Sequence, residues 1–418
     1  MAPSPQTSKP LRVLLSEGSS TSAREAITIL GLTGHHVEIC DPSPHCLGRF
    51  SHFVKKFHHC PGLRDDPAGF LAFVDQLLTK RRFDVLVPIH EQGFLFARAQ
   101  QRLQGHVGFA LPSFENYLTA HSKAGFSRLL DELGLPQPET RIVRSADELR
   151  GAVRFPCVIK TSVGTASRGV WLVRDDFDLK QAVTQLHANG AFNDDILVQS
   201  FAAGATEKAQ AVFCRGRLIG FHAYQQIAAG AGGGDAVKQS VGRSNVSNDL
   251  AKIGERLAWH GALSVDYIWP HGKSSPLYID CNPRLVEPMS AYLSGVDLVA
   301  LLLEVSQGET PLAAPESRAG VRTHLAMQAL LGCALRGGTR RDIVRECQDL
   351  LMKSGPYTDS REELTPLRLD WVSAVPLAIA ALSLLVAPKL AHRLATRGWG
   401  AHLLDIRSIR EIESENFG

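Results

Sequence analysis

Short apolar runs separated by amphipathic stretches dominate the first quarter of the chain. Residues 11–15, 37–40 and 85–88 are apolar runs of strand length, and helical periodicity lies between them at 26–30 and 70–77. Alternation of strands and helices in this way predicts a small parallel α/β domain over residues 11–117. Residues 1–10 are polar and rich in Pro and Ser, which predicts a flexible tail.

The pattern changes after residue 117. An amphipathic helix over 124–133 ends at Gly134 and Pro136, and strand-like runs follow at 156–160, 196–198, 211–213 and 218–223. The last two runs flank a turn and predict an antiparallel pair. These elements predict an α+β body over residues 118–310, followed by a partly helical extension over 311–418.

One uncharged segment in the extension, residues 372–388, leaves two alternatives open. It lies at the short edge of the roughly 20 apolar residues that span a bilayer, and Pro376 interrupts it. It is either a buried helix packed on the body or a helix that touches a membrane. Lys389, Arg393 and Arg397 would suit an anionic lipid surface in the second case.

Composition narrows the classes of function. A formal net charge of +3 over 418 residues gives no reason to expect nucleic acid, which requires a concentrated basic face. The eight cysteines form no C-x-x-C pair, and this indicates a reducing cytoplasm. A cytoplasmic location is therefore predicted, with membrane association as the alternative if 372–388 contacts lipid.

A lysine followed by small residues predicts a phosphate-binding loop. Lys160 ends the strand at 156–160, and the loop after it contains Ser162, Gly164, Thr165, Ser167 and Gly169. Small residues let backbone N–H groups approach an anion, and the lysine adds a positive charge beside it. A strand–loop–strand hairpin would also favour Gly and Ser here, and the ending of a Walker A loop is absent.

Three oxygen-bearing side chains predict a magnesium site. Asp266 lies in one alternating stretch, and Asp280 and Asn282 lie two apart in the next. Residues two apart on a strand share a face, and a turn at 271–273 can bring Asp266 to that face. Hard oxygen ligands suit a Mg²⁺ ion that holds nucleotide phosphates. The alternative is polar residues on an exposed edge strand, but the apolar neighbours indicate burial, where an isolated carboxylate is costly.

The motifs, taken in chain order, resemble those of the ATP-grasp superfamily. They are Lys123 ahead of Gly134-Leu135-Pro136, the P-x-V-x-K strand Pro156 to Lys160, the hinge-like Gln199 to Gly204 with Glu207, Asp266, and Asp280-Cys281-Asn282-Pro283-Arg284. The last motif carries Asp280 where the family usually has Glu, which puts the bridging of two metal ions in question.

The resemblance implies a fold and a set of roles. It implies an α/β domain preceding an ATP-grasp domain of two α+β subdomains, with ATP and Mg²⁺, or Mn²⁺ instead, as cofactors. Lys123, Lys160 and the small-residue loop would hold the phosphates, and Asp266, Asp280 and Asn282 would hold the metal. Arg284 would stabilise the transferring phosphoryl group or hold the substrate carboxylate. Adenine would meet Gln199 and the backbone of Ser200, Phe201 and Ala202, and the ribose hydroxyls would meet Glu207.

Four further residues are candidates for substrate contact. His222 and Tyr224 precede a glycine-rich stretch, 228–235, which reads as a loop. Arg243 would pair with a carboxylate or lie as an exposed loop arginine. Glu287 would bind the amine of an amino-acid substrate or serve as a carboxylate at the start of a helix.

The resemblance implies a ligase that activates a carboxylate as an acyl phosphate and joins it to an amine. The alternatives are another acyl-phosphate enzyme, such as a carboxylase, and a nucleotide-binding module without turnover. Its partners would be a small-molecule acid and amine, and a homodimer is compatible with the sequence.

Overall fold

The computed structural model describes residues 9–164, 169–396, 402–415 and 417. A four-stranded parallel sheet forms the first unit, in the order β3-β2-β1-β4. Its elements are β1 (Arg12–Leu15), α1 (Thr21–Leu32), β2 (His36–Asp41), β3 (Val54–His59), α2 (Pro67–Lys80), β4 (Val85–Val87), α3 (Gln92–Arg98) and α4 (Gln100–Leu103). The strand–helix alternation predicted from the hydrophobic pattern is therefore present.

A second sheet follows, with four antiparallel strands in the order β5-β8-β6-β7. Two helices lead into it, α5 (Phe114–His121) and α6 (Lys123–Glu132). Its own elements are β5 (Thr140–Val143), α7 (Ala146–Ala152), β6 (Cys157–Thr161), β7 (Val170–Val173), α8 (Asp176–Ala188) and β8 (Ile196–Ser200). Its apolar core is a separate cluster that includes Ile159, Leu186 and Val198.

The largest sheet has seven strands in the order β13-β12-β9-β10-β11-β14-β15. Its elements are β9 (Gly204–Cys214), β10 (Arg217–Ala229), β11 (Asp235–Ser240), α9 (Ser244–Arg256), β12 (Gly261–Pro270), β13 (Leu277–Asn282), α10 (Met289–Leu293), α11 (Leu298–Ser306), β14 (Arg322–His324) and β15 (Arg361–Glu362). The predicted C-terminal extension thus contributes the last two strands of this sheet, β14 and the edge strand β15.

The first and third sheets share a core. Val13 and Leu15 of β1 belong to the same buried cluster as Val212 of β9 and Leu298 of α11. This packing fixes the carboxyl ends of the parallel strands against the segment that follows β13. Ligands of open α/β sheets bind at the carboxyl ends of the strands. A ligand bound there would therefore lie close to the metal-binding residues predicted from the sequence.

The remaining helices are α12 (Ala326–Leu335), α13 (Arg340–Met352), α14 (Ala374–Val386), α15 (Ala391–Thr396) and α16 (Ile406–Ser414). The apolar segment 372–388 forms α14, and its buried residues Ala380 and Leu384 face the body. Leu384 belongs to a cluster with residues of α12 and α13, as the packed-helix alternative predicted, while Ile379 and Leu382 are exposed. Among the described residues, no helix has the length and apolarity needed to cross a bilayer.

Candidate active site

The predicted metal ligands lie on the hairpin of β12 and β13. Asp266 is directly opposite Asp280, and Ser264 is directly opposite Asn282. Directly opposite residues of an antiparallel pair share a face, with Cβ atoms about 5 Å apart. The structure therefore brings Asp266, Asp280 and Asn282 together on one face, as the strand pattern predicted.

The electrostatics of the carboxylate pair fit a cation. Burial raises the pKa of Asp266 to about 6, and the neighbouring Asp280 adds to the rise, while Lys208 opposes it. Two carboxylates this close disfavour each other's charged forms unless a cation lies between them. A hard divalent ion such as Mg²⁺ would bind through these oxygens and remove the repulsion. The residues present therefore fit the metal that the resemblance implies.

Two lysines from different elements converge on the same carboxylates. The Nζ of Lys123 lies 3.2 Å from Oδ1 of Asp280 and donates to the carbonyl oxygen of Gly164 at 2.7 Å. The Nζ of Lys160 donates to the carbonyl oxygen of Ile279 at 2.7 Å. Burial lowers the pKa of Lys160 to about 8, although Asp280 raises it. Both cations thus face the metal-binding carboxylates.

Local structure places Lys123 at the first position of α6. The hydroxyl of Ser122 caps this helix, and it also shares a 2.7 Å hydrogen bond with the hydroxyl of Ser162. The backbone N–H of Lys123 donates to the carbonyl oxygen of Ser162 at 2.7 Å. The start of α6 is therefore tied to the phosphate-binding loop, and an anion there would also meet the positive end of the helix.

The small-residue loop is described at its two ends only. Gly169 has a φ of 73°, and a Cβ there would lie 2.1 Å from Oγ1 of Thr161, so a side chain cannot be accommodated. Gly164 supplies the carbonyl that receives Lys123. Two predicted phosphate contacts, Thr165 and Ser167, lie outside the described residues.

The predicted adenine hinge connects β8 to β9. Gln199 is buried, and its side-chain amide donates to Oγ1 of Thr140 at 2.9 Å. The backbone N–H groups of Ser200 and Phe201 already donate to carbonyl oxygens of neighbouring segments. The ring of Phe201 is 48% exposed. An adenine ring at this hinge would therefore contact backbone groups other than these two N–H groups. Ala202 lies in the connection between the second sheet and the third.

Arg284 lies at the junction with the first sheet. Its guanidinium reaches Oδ1 of Asn282 at 3.5 Å. Burial lowers the pKa of Arg284, while Glu91 and Glu17 of the first unit act to raise it. Because both carboxylates follow strands of the parallel sheet, the carboxyl end of that sheet faces the metal-binding hairpin.

Comparisons with known proteins agree with this geometry. No protein-family model matches the chain. Over 91 residues, 21% of its length, it is 33% identical to the carbamoyl phosphate synthase large chain of Thermus thermophilus, covering 9% of that protein. Over 189 residues, 44% of its length, it is 29% identical to the formate-dependent phosphoribosylglycinamide formyltransferase of Burkholderia thailandensis, covering 45% of it. The chain thus matches less than half the length of these curated relatives.

A solved structure extends the likeness to most of the chain. The biotin carboxylase domain of the Hydrogenobacter thermophilus 2-oxoglutarate carboxylase, solved with MgADP, ADP and bicarbonate, superposes with a TM-score of 0.62 at 14% identity. The match covers 75% of this chain and 74% of that one. The chain has the ATP-grasp fold. The resemblance predicted from the motifs is confirmed.

Within the ATP-grasp fold, Glu207, the residue expected to meet the ribose hydroxyls, lies on the other face of its strand from the predicted metal ligands. Glu207 is directly opposite Tyr267, whereas the next residue, Lys208, is directly opposite Asp266. Successive residues of a strand point to opposite faces, so Glu207 and Asp266 lie on different faces. Glu207 instead receives both arms of Arg243, at 2.6 and 2.7 Å. The assignment of Glu207 to the ribose hydroxyls stays a prediction.

Arg243 is a partly buried arginine that already has a carboxylate partner. Its guanidinium is held by Glu207 and lies 3.9 Å from the ring centre of Trp269. The Glu207 hydrogen bonds raise the pKa of Arg243. The carboxylate that Arg243 meets in the structure therefore belongs to the chain itself, and its contact with a substrate stays a prediction.

The other substrate candidates lie deep in the ATP-grasp sheet. His222 is fully buried, and burial together with Lys238 lowers its pKa to about 3. The hydroxyl of Tyr224 donates to Asp235 at 3.0 Å. Glu287 has a φ of 55° and lies 2.5 Å from the Nζ of Lys238. It therefore faces a buried lysine, and its other carboxylate oxygen accepts the hydroxyl of Thr21 at the start of α1 at 3.1 Å.

Sequence reasoning missed two charged residues beside the metal ligands. Lys208 pairs with Asp235 at 2.8 Å. Burial alone would lower the pKa of Lys208, but Asp235 and Asp266 raise it above its usual range. Asp235 closes the glycine-rich stretch that was predicted to be a loop. No motif marks Lys208, because only strand register reveals that it faces Asp266.

Proposed function

We propose that this chain is an ATP- and Mg²⁺-dependent ligase that activates a carboxylate as an acyl phosphate and joins it to an amine. The observation that supports this most is the convergence of Lys123 and Lys160 on the opposed carboxylates Asp266 and Asp280. Two cations and two metal-binding carboxylates are what a triphosphate with a divalent ion requires. A module without turnover would have no need to keep two like charges buried together.

Each residue has a role that follows from its chemistry. Lys123 and Lys160 would offset the charge of the phosphates, and Asp266, Asp280 and Asn282 would hold Mg²⁺, which neutralises charge on the transferring group. The planar guanidinium of Arg284 suits a carboxylate or a phosphoryl oxygen. Phosphoryl transfer depends mainly on positioning and charge stabilisation, so no protein nucleophile is required.

The reaction balances in two steps. A substrate carboxylate oxygen attacks the γ-phosphorus of ATP, the bond to the β-phosphate oxygen breaks, and an acyl phosphate and ADP form. The amine nitrogen then attacks the acyl carbon, the C–O bond to phosphate breaks, and an amide and inorganic phosphate leave. From an ammonium ion, one proton passes to phosphate and a second is released.

Hydroxylamine provides the test. It is a neutral nucleophile that traps acyl phosphates as hydroxamates, so it reports acid activation without a cognate amine. We expect ATP- and Mg²⁺-dependent hydroxamate with at least one member of a panel of small carboxylic acids that includes formate and amino acids. Phosphate release with bicarbonate as the only acid, together with no hydroxamate from any acid of the panel, would instead favour the carboxylase alternative. Loss of all ATP turnover would overturn the enzyme proposal.

Compartment and assembly belong to the same proposal. All eight cysteines are free and seven are buried, which supports a reducing cytoplasm. The solved relative is described as a domain dimer, which supports a homodimer for this chain. Light scattering coupled to size exclusion would test this, with a mass near 91 kDa expected, about twice the 45.5 kDa of one chain.

A further inference from the structure

Three carboxylates from distant parts of the chain surround one buried lysine. Lys238 of β11 has no exposed side-chain surface. Its Nζ lies 2.5 Å from Glu287 and 2.7 Å from Glu363. Glu25 of α1 is also fully buried within electrostatic reach of Lys238, and it accepts the backbone N–H of Met289 at 2.9 Å. Acidic groups therefore outnumber the one cation by three to one.

Several polar atoms around this lysine have no hydrogen-bond partner in the described part of the chain. They are Oε1 of Gln210, Nδ1 of His222 and Oε1 of Glu25. A polar atom that is buried without a partner is costly, so three such atoms around one lysine require an explanation. We call Glu25, Gln210, His222, Lys238, Glu287 and Glu363 the Lys238 cluster.

Two of these atoms are independent of the carboxylates and point to a missing donor. The side-chain nitrogen of Gln210 donates to the carbonyl oxygens of Val286 and Glu287. Because both neighbours are acceptors, the amide cannot be turned over, and its oxygen must face the unpaired side. His222 is neutral, and its Nε2 contacts the hydroxyl of Ser290 at 3.2 Å. In the tautomer whose Nε2 donates to that hydroxyl, Nδ1 is an acceptor.

The cluster shares a face with the metal ligands. Gln210 is directly opposite both His222 of β10 and Ser264 of β12, and Lys208 is directly opposite both Tyr224 and Asp266. At about 4.8 Å between strands, Tyr224 lies roughly 10 Å from Asp266. The Nζ of Lys238 lies 5.3 Å from the ring centre of Tyr224. One continuous polar row therefore leads from the metal site to the cluster.

We propose that the Lys238 cluster is the subsite for the amine and binds it as a primary ammonium ion. This inference rests on the proposed ligase function. An ammonium ion brings three N–H donors to the unpaired acceptors and a positive charge to the excess of carboxylates. It would therefore satisfy the hydrogen-bond acceptors and balance the charge. A second anion would add to the excess, and a neutral hydroxyl compound would leave the charge unbalanced.

The subsite also accounts for the fate of one proton. A bound ammonium ion must lose a proton before its nitrogen can attack the acyl carbon. Burial raises the pKa of both Glu25 and Glu363. A carboxylate with a raised pKa is a better proton acceptor near neutral pH. The proton thus moves from nitrogen to a cluster carboxylate, the C–N bond forms, and phosphate leaves.

The test sets two nucleophiles against each other. With the acid identified by the hydroxylamine screen, methylammonium and hydroxylamine are supplied together, and the N-methylamide and hydroxamate are quantified by mass spectrometry. Hydroxylamine is neutral at pH 7.5 and needs no carboxylate partner. We expect Glu363→Gln to lower the ratio of N-methylamide to hydroxamate at least tenfold. Glu25→Gln is a second variant that tests the same subsite if Glu363→Gln folds poorly.

Glu362→Gln is the matched control. Glu362 is also a buried carboxylate of β15, but it accepts backbone N–H groups of Ala326, Leu364 and Thr365 and does not face Lys238. We expect the wild-type ratio in this variant. Equal ratios in Glu363→Gln, Glu25→Gln and Glu362→Gln, with equal melting temperatures, would overturn the subsite and leave a structural charge cluster. Absence of ATP-dependent hydroxamate from every acid in the panel would overturn the ligase proposal itself, and this inference with it.

Discussion

Replacing Asp266 with asparagine should stabilise the metal-free protein while it removes a metal ligand. Burial raises the pKa of Asp266 from its ordinary value of 3.8 to about 6. At about 1.36 kcal/mol per pKa unit, this difference corresponds to roughly 3 kcal/mol. The folded protein bears that cost only when Asp266 is ionised. An asparagine at this position has no charge to bury, so the variant escapes the cost.

The sign of the pH dependence follows from the direction of the shift. A folded-state pKa above the unfolded value means that the folded chain holds the proton longer. The stability that Asp266 contributes is fully present below pH 3.8 and is lost as the pH rises through about 6. The advantage of Asp266→Asn should therefore be absent near pH 4 and complete above pH 7.

Thermal melting in the absence of divalent ions measures the effect. At about 2.1 cal/mol/K per residue, 418 residues give an unfolding entropy near 0.9 kcal/mol/K. We therefore expect Asp266→Asn to melt about 3 °C above wild type at pH 8. Mg²⁺ with ATP should raise the melting temperature of wild type only, because the variant lacks one ligand.

Asp65→Asn is the control, since its carboxyl is 65% exposed and pays little desolvation. The reasoning would be refuted if Asp266→Asn melted below wild type at pH 8. It would also be refuted if the difference between the two proteins did not shrink between pH 7 and pH 4.

Three further predictions follow from the same structure. Lys160→Ala and Asp280→Ala should each lower ATP-dependent phosphate release by about 10²-fold or more without changing the circular dichroism spectrum. Each variant removes a charge that faces the phosphates or the metal. Turnover near that of wild type would contradict the assignment of the ATP site. Arg243→Ala should destabilise the fold by about 3 kcal/mol in urea unfolding, because it leaves the buried carboxylate of Glu207 unpaired, and Arg243→Lys should recover only part of the loss. Burial opposes the charged form of His402, yet its contacts with Asp41 and other carboxylates raise its pKa. His402→Ala should therefore lower the melting temperature more at pH 6 than at pH 8.5. An equal loss at both pH values would exclude the ion pair.

Sequence patterns of short range predicted much of the fold and the metal site. Asp280 and Asn282 share a face because they are two apart on a strand, and this holds whatever lies around them. The strand–loop position of Lys160 and the small residues after it follow from local backbone requirements, of which Gly169 is a clear case. The parallel α/β domain was also predictable, because the periodicities of strands and helices differ along the sequence.

Partners far apart in the chain were not predictable. Glu207 and Arg243 are 36 residues apart and meet only because β9 lies beside β12 and the start of α9. The three carboxylates around Lys238 come from α1, the segment after β13, and the residue that follows β15, so no window of the sequence contains them.

The sequence by itself determined the strand faces, the small-residue loop proposed to bind phosphate and the pair of carboxylates proposed to bind metal, since each depends on neighbours a few residues away. The tertiary structure alone decided which charges meet. Strand register sent Glu207 to the face opposite Asp266 and placed Lys208 beside it, and domain packing brought Glu25 to Lys238. Register and packing are set by the burial of the whole apolar core, and no local pattern encodes them.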